Sequence, residues 1–122
     1  MQLTRILLVD DHRLVRECLR SVLGMYPDIE IVGEACNGEE AVQSVHKFLP
    51  NVVVMDINMP VLNGIEATRR IKAAYPRVLV VGLSLNADET HQIEMKAAGA
   101  TSLLPKEMAV EQLHNAITSA TT

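Results

Sequence analysis

Apolar positions along the chain alternate between two rhythms. Short β-branched or aliphatic runs of strand length are each followed by a longer stretch in which apolar residues recur at helical spacing. The runs are Arg5 to Val9, Ile29 to Gly33, Val52 to Met55, Val78 to Leu83 and Thr101 to Leu104. Four of them are almost continuously apolar, the pattern of strands covered on both faces. After the first run, Leu14, Val15, Cys18, Leu19, Val22 and Leu23 form one stripe of a predicted helix, opposite Arg13, Arg16, Glu17 and Arg20. Gly24 and Pro27 stop it. A second helix is predicted from an Asn37 cap and buries Ala41, Val42, Val45 and Phe48. A third follows Asn63-Gly64 and buries Ile65, Thr68 and Ile71. The fourth, Asp88 to Ala98, is weakly amphipathic and ends at Gly99, and the fifth carries Val110, Leu113 and Ile117 on one face.

Five strand-helix pairs in succession imply right-handed crossovers, a parallel sheet and helices on both faces, an α/β doubly wound fold. With 122 residues and 48% hydrophobic content, the chain is sized for a single domain over residues 1–122 with one core. The longest apolar runs, such as Val78 to Val81, fall far short of the roughly 18 residues of a membrane span, and no leader pattern opens the chain. The expectation is a soluble, cytoplasmic protein. Cys18 and Cys36 have neither CxxC spacing nor a disulfide framework around them, and read as packing or loop residues. Eleven basic against fifteen acidic side chains give a net charge of −4, which argues against direct gripping of a nucleic acid backbone.

In open parallel sheets the ligand crevice lies beyond the carboxyl ends of the strands, so polar residues there draw the attention. Asp10 and Asp11 close the first strand, Asp56 the third and Ser84 the fourth, and Lys106 follows the fifth. Singly, each has a plain explanation: Asp11 as a helix cap, Asp56 as the start of a turn through Asn58-Met59-Pro60, Lys106 as a solvated lysine. Jointly they converge on one edge. Three neighbouring carboxylates repel one another unless a cation joins them. Hard oxygen ligands suit magnesium, with manganese fitting similarly. His12, His46, His91 and His114 lack zinc-ligand spacing and read as surface or helix-face residues. Neither a Gly-rich phosphate loop, a GxSxG elbow nor a dinucleotide fingerprint is present.

Val9-Asp10-Asp11, Met55-Asp56-Ile57-Asn58-Met59-Pro60, Asn63-Gly64, Leu83-Ser84 and Lys106, in this order and spacing, resemble the receiver domain of bacterial two-component response regulators. The likeness covers essentially the whole chain and implies the flavodoxin-like strand order 2-1-3-4-5. "DDHRLVRECLRSVL", "VVGEACNGEEAV" and "NGIEATRRIK" are similar to the branch usually fused to helix-turn-helix DNA-binding domains, and "GLSLNADE" resembles receivers at the carboxyl end of hybrid histidine kinases. The resemblance makes Asp56 the phosphoacceptor, and Asp10, Asp11, Asp56 and the main-chain carbonyl of Asn58 the magnesium site. Lys106 then offsets phosphoryl charge, and Ser84 relays its presence. The implied partners are a histidine kinase or phosphotransfer domain and, on phosphorylation, a second copy of the chain, with no direct nucleic acid contact and no membrane.

Three departures from the family pattern carry expectations of their own. Leu103 replaces the aromatic residue usual on the fifth strand, so output coupling is expected to differ. Leu85 stands where a small residue is usual, and is expected either to lie over Asp56 or to pack into the fourth helix. Pro105 precedes Lys106 and Glu107 follows it, so no cis bond is expected after the lysine. Other classes remain open at this point. A phosphorylation-silent pseudo-receiver would usually have lost an acid that this chain retains, and an aspartyl phosphatase would need a second acid where Asn58 stands. A flavin module would need aromatics at the strand ends, where Tyr26, Phe48 and Tyr75 do not fall.

Overall fold

The computed structural model describes residues 3–122. Strands β1 (Thr4–Val9), β2 (Ile29–Ala35), β3 (Val52–Asp56), β4 (Leu79–Ser84) and β5 (Ser102–Pro105) alternate with helices α1 (Arg13–Leu23), α2 (Gly38–Phe48), α3 (Gly64–Ala74), α4 (Glu89–Ala98) and α5 (Ala109–Thr121). The strands form one parallel sheet in the order β2-β1-β3-β4-β5. Strand alternation sends Leu7, Val9, Val53 and Met55 to one face, where they pack with Ala41 and Val45 of α2, Ala67 and Ile71 of α3 and Met95 of α4. Ile6, Leu8, Val52 and Val54 face the other side and meet Leu19 and Leu23 of α1 and Leu113 and Ile117 of α5. Each fully buried aliphatic side chain in these two layers contributes roughly 1.5–3 kcal/mol.

Helix starts follow local chemistry. Asn37, Asn63 and Asp88 accept hydrogen bonds from the backbone N–H groups of Glu40, Glu66 and His91, satisfying orphan donors of α2, α3 and α4. Gly99 ends α4 at φ 108°, a left-handed conformation that favours glycine. Gly64 has a steric reason instead: a Cβ there would lie 2.2 Å from the Asp56 carbonyl oxygen, so only glycine lets α3 begin tight against the end of β3. Asp11 does not cap α1. His12 occupies that position without a side-chain cap bond, which leaves the Asp11 carboxylate to the strand-end cluster.

The helix stripes read from the sequence are wider than the faces the protein covers. Leu19 and Leu23 are buried, but Leu14 is 79% exposed and Cys18 is exposed as well, because α5 covers only part of α1. Val110 is likewise exposed while Leu113 and Ile117 are buried. Leu85 is not part of the packed α4 layer. It is 77% exposed and lines a groove of about 440 Å³ with Leu14, Val15, Lys106 and Val110, between α1 and α5. Lys106 begins a 3-10 turn, Lys106–Met108, and there are no cis peptide bonds among the described residues.

Candidate functional site

Strand register assembles the site. Val9 lies opposite Met55, so the next residue of each strand, Asp10 and Asp56, emerges side by side. Asp56 pairs with Leu83, which puts Ser84 one step beyond, and Ser84 pairs with Pro105, which delivers Lys106 to the same edge. A one-residue slip of any of these strands would send its polar residue to the other face of the sheet.

Asp10 and Asp56 are 1% and 0% exposed, a burial that disfavours charge unless something compensates it. Lys106 supplies part of that compensation: its Nζ lies 2.9 Å from Asp10 Oδ2 and 3.2 Å from Asp56 Oδ2. Burial alone would lower the lysine pKa, but the two carboxylates outweigh it and hold the ammonium above its ordinary value. The other oxygens are held by backbone. Asp10 Oδ1 accepts the His12 N–H at 2.8 Å, and Asp56 Oδ1 accepts the Asn58 N–H at 3.0 Å. Burial pushes the Asp56 carboxyl up to about 6, the Asn58 N–H opposes that rise, and the Asp10 charge adds to it.

Ser84 is fully buried and reaches the cluster indirectly. Its Oγ donates to Asn58 Oδ1 at 3.4 Å and accepts the Asn86 N–H at 3.0 Å. Of the six residues singled out by sequence, Asp10, Asp11, Asp56 and Lys106 thus form one cluster, while Asn58 and Ser84 flank it and touch each other.

Two contributors escaped the sequence reading. Arg16 was placed on the polar face of its helix, yet its Nη1 donates to the Asp10 carbonyl at 2.7 Å and its Nε to Glu34 at 2.9 Å. Burial of Glu34 is outweighed by hydrogen bonds from Arg20 and Arg16, which hold its carboxyl below the usual range. Arg16 is thereby fixed beneath the end of β1. His12 is exposed, as its sequence context implies, and its Nδ1 also lies 3.3 Å from Asp10 Oδ1 and 3.1 Å from Asp11 Oδ1. Adjacency to the two acids was the available signal; the turn that folds the ring back was not legible.

Ligand atoms of Asp10, Asp11, His12 and Asp56 all lie within 4.8 Å of one another. Asp10 Oδ2 and Asp56 Oδ2 are buried and meet only the single Lys106 ammonium, and Asp11 Oδ1 is a buried oxygen that accepts no hydrogen bond. Buried acceptors of that kind are costly, and their convergence suits a hard divalent cation. Beside them a cleft of about 550 Å³, lined by Asp11, Asn58, Met59 and His91 among others, opens to solvent.

A 2-1-3-4-5 parallel sheet with an acid pocket at its carboxyl edge, closed by a lysine, defines a flavodoxin-like domain whose working edge gathers buried charge. The chain belongs to the response regulator receiver domain family, which matches it over residues 6–118. Transcriptional regulatory protein DegU of Brevibacillus brevis is 42% identical over 113 residues, covering 93% of this chain and 48% of DegU. Response regulator GacA of Pseudomonas viridiflava is 33% identical over 113 residues, covering 93% of this chain and 53% of GacA. The crystal structure of the response regulator domain of Thermotoga maritima CheB is similar with a TM-score of 0.91 at 31% identity, covering 98% of this chain and 96% of that one. The chain therefore spans about half the length of DegU and GacA. No helix among the described residues is long and apolar enough to cross a membrane.

Proposed function

We propose that this chain is a phosphorylation-activated signalling switch that accepts a phosphoryl group onto Asp56 from a phosphohistidine of a histidine kinase or phosphotransfer domain. The observation that carries the reading is the buried Asp56 carboxylate, held between the Lys106 ammonium at 3.2 Å and the Asn58 N–H at 3.0 Å, in a pocket where three carboxylates share that one ammonium. An Asp56 carboxylate oxygen forms the new bond to phosphorus as the phosphorus–nitrogen bond of the donor imidazole breaks, leaving an acyl phosphate on Asp56. The Asn58 N–H holds Oδ1 and so sets the orientation of the attacking group. Lys106, already fixed by Asp10, offsets negative charge on the transferring oxygens. Asp11 and Asp56, with the Asn58 carbonyl and Asp10 alongside, would hold a magnesium ion, for which manganese can substitute. Bound there, it supplies further neutralisation of phosphoryl charge.

Ser84 then turns from Asn58 toward the new phosphoryl oxygens and draws the loop between β4 and α4 with it. The switch alters the face formed by α4, β5 and α5, which controls an output domain or a second copy of the chain. Likeness to DegU and GacA supports a transcriptional output in a cytoplasmic protein, reached through another domain, since the net charge of −4 is poorly suited to direct nucleic acid contact. Incubation with acetyl phosphate and magnesium should add one phosphate to the intact mass of wild type and none to Asp56→Asn. Stoichiometric labelling of Asp56→Asn would reject the phosphoacceptor. Failure of the folded wild type to label would favour a phosphorylation-silent interaction module.

A further inference from the structure

His12 contributes more to the acid pocket than its place in an exposed turn suggests. Its Nδ1 lies 3.1 Å from Asp11 Oδ1, a close approach without an aligned hydrogen bond. The ring is also within hydrogen-bond reach of Asp10 Oδ1, at 3.3 Å, and that oxygen accepts the His12 backbone N–H at 2.8 Å as well. Asp10 and Asp56 direct their Oδ2 atoms to Lys106. The ring and the ammonium therefore address opposite oxygens of Asp10. Two neighbouring ligands of one octahedral ion, each about 2.1 Å from it, stand roughly 3.0 Å apart. The separation of His12 Nδ1 from Asp11 Oδ1 has that value within a tenth or two of an ångström.

We propose that His12 Nδ1 is a direct ligand of the divalent cation in this pocket, and that it shifts the pocket's preference from magnesium toward first-row transition ions that accept imidazole nitrogen. The inference rests on the reading of Asp11 and Asp56 as metal ligands. Magnesium takes oxygen donors and retains water, so it gains little from an imidazole in place of a water molecule. Nickel and cobalt gain a bond of suitable softness. With 64% of its side chain exposed, His12 can complete such a site without displacing core packing.

The test is calorimetric titration of nickel and of magnesium into wild type, His12→Ala and Asp11→Asn at pH 8, where an ordinary imidazole is neutral. Removal of His12 should weaken nickel binding by about tenfold or more and change magnesium binding by less than about twofold. Asp11→Asn should weaken both. Pulsed EPR of manganese bound to wild type should show imidazole nitrogen coupling that His12→Ala abolishes. Equal weakening of nickel and magnesium in His12→Ala would instead make His12 a residue that orients Asp11, and would overturn the proposal. Unchanged nickel affinity in His12→Ala, or nitrogen coupling that survives it, would overturn the proposal too. If Asp11→Asn binds both ions as wild type does, the pocket itself is misassigned, an outcome distinct from failure of the histidine alone.

Discussion

Burial, opposed by the Asn58 N–H and reinforced by the Asp10 charge, raises the Asp56 carboxyl from 3.8 to about 6 in the folded protein. A raised acid pKa means that the folded state holds the proton more tightly than the unfolded state. Stability from this group is then full below about pH 4 and is lost as pH rises through 6. An ionised Asp56 costs on the order of 2–3 kcal/mol at pH 7. In metal-free buffer, Asp56→Asn should exceed wild type by that order at pH 7, and the difference should vanish by pH 4. Urea denaturation at the two pH values checks it, and a difference of the same size at both would show that titration is not the cause. Leu85 makes a contrasting case. Its large side chain suggested a gate over Asp56 or a packing role against α4, yet it stands in the groove between α1 and α5 with most of its surface in water. Leu85→Ala should change stability by no more than about 0.5 kcal/mol and leave the rates of acetyl phosphate labelling and phosphate loss unaltered. Stopped-flow labelling and a melting curve measure both. The two residues also mark what sequence can convey. Asp56 was legible because its place at a strand end follows from the apolar run before it, whereas the direction of the Leu85 side chain depends on a loop that no periodicity describes.

At the scale of elements, strands were read to within two residues at each end, because continuous apolar runs flanked by polar residues leave little freedom in a doubly covered sheet. Helix starts at Asn37 and Asn63 were equally legible, since a side-chain acceptor and an orphan N–H define the boundary together. The width of each buried stripe was not. Leu14, Cys18 and Val110 share helical spacing with buried residues, but how far a neighbouring helix extends over them is a tertiary property. Loop strain was also invisible. Val61 has φ 69° in the turn between β3 and α3, where the Leu62 N–H donates to the Pro60 carbonyl at 2.8 Å. A β-branched residue at positive φ in so tight a turn is strained by roughly 1–3 kcal/mol. Its side chain is 82% exposed, so removing it sacrifices little packing. Glycine would relieve the strain while adding about 0.5–1 kcal/mol of unfolded-state entropy. Val61→Gly should therefore stabilise the domain by about 1 kcal/mol, seen as a higher denaturant midpoint at unchanged m. A lower midpoint would mean that Val61 is not under strain.

For the molecule as a whole, the question is how a change at the β4 end reaches the far side of α4. Ser84 Oγ is engaged by Asn58 Oδ1 and by the Asn86 N–H, so in this state the hydroxyl ties the loop after β4 to the loop after β3. At the other end, Gln92 of α4 donates to the Leu103 carbonyl at 3.0 Å and couples α4 to β5. Leu103 is buried in the same layer as Met95 of α4, so these polar ties and that packing lie between the two ends. Moving such a switch from 1:99 to 99:1 requires about 5.5 kcal/mol of differential stabilisation, more than one neutral hydrogen bond supplies. In the proposed switch, the phosphoryl charge and its contacts to Lys106 would supply most of it, with Ser84 directing the loop that responds. Ser84→Ala should accept phosphate from acetyl phosphate, since the Asp56 carboxylate and Lys106 remain in place. It should lose most of the change in amide exchange over α4 and β5 that phosphorylation produces in wild type. Lys106→Ala should lose that change even in protein shown by mass to be labelled. Hydrogen exchange on wild type and both variants, with and without beryllofluoride as the phosphoryl mimic, separates the two roles. A wild-type response in Ser84→Ala would place the relay elsewhere, in the backbone of the Leu85 to Asp88 loop.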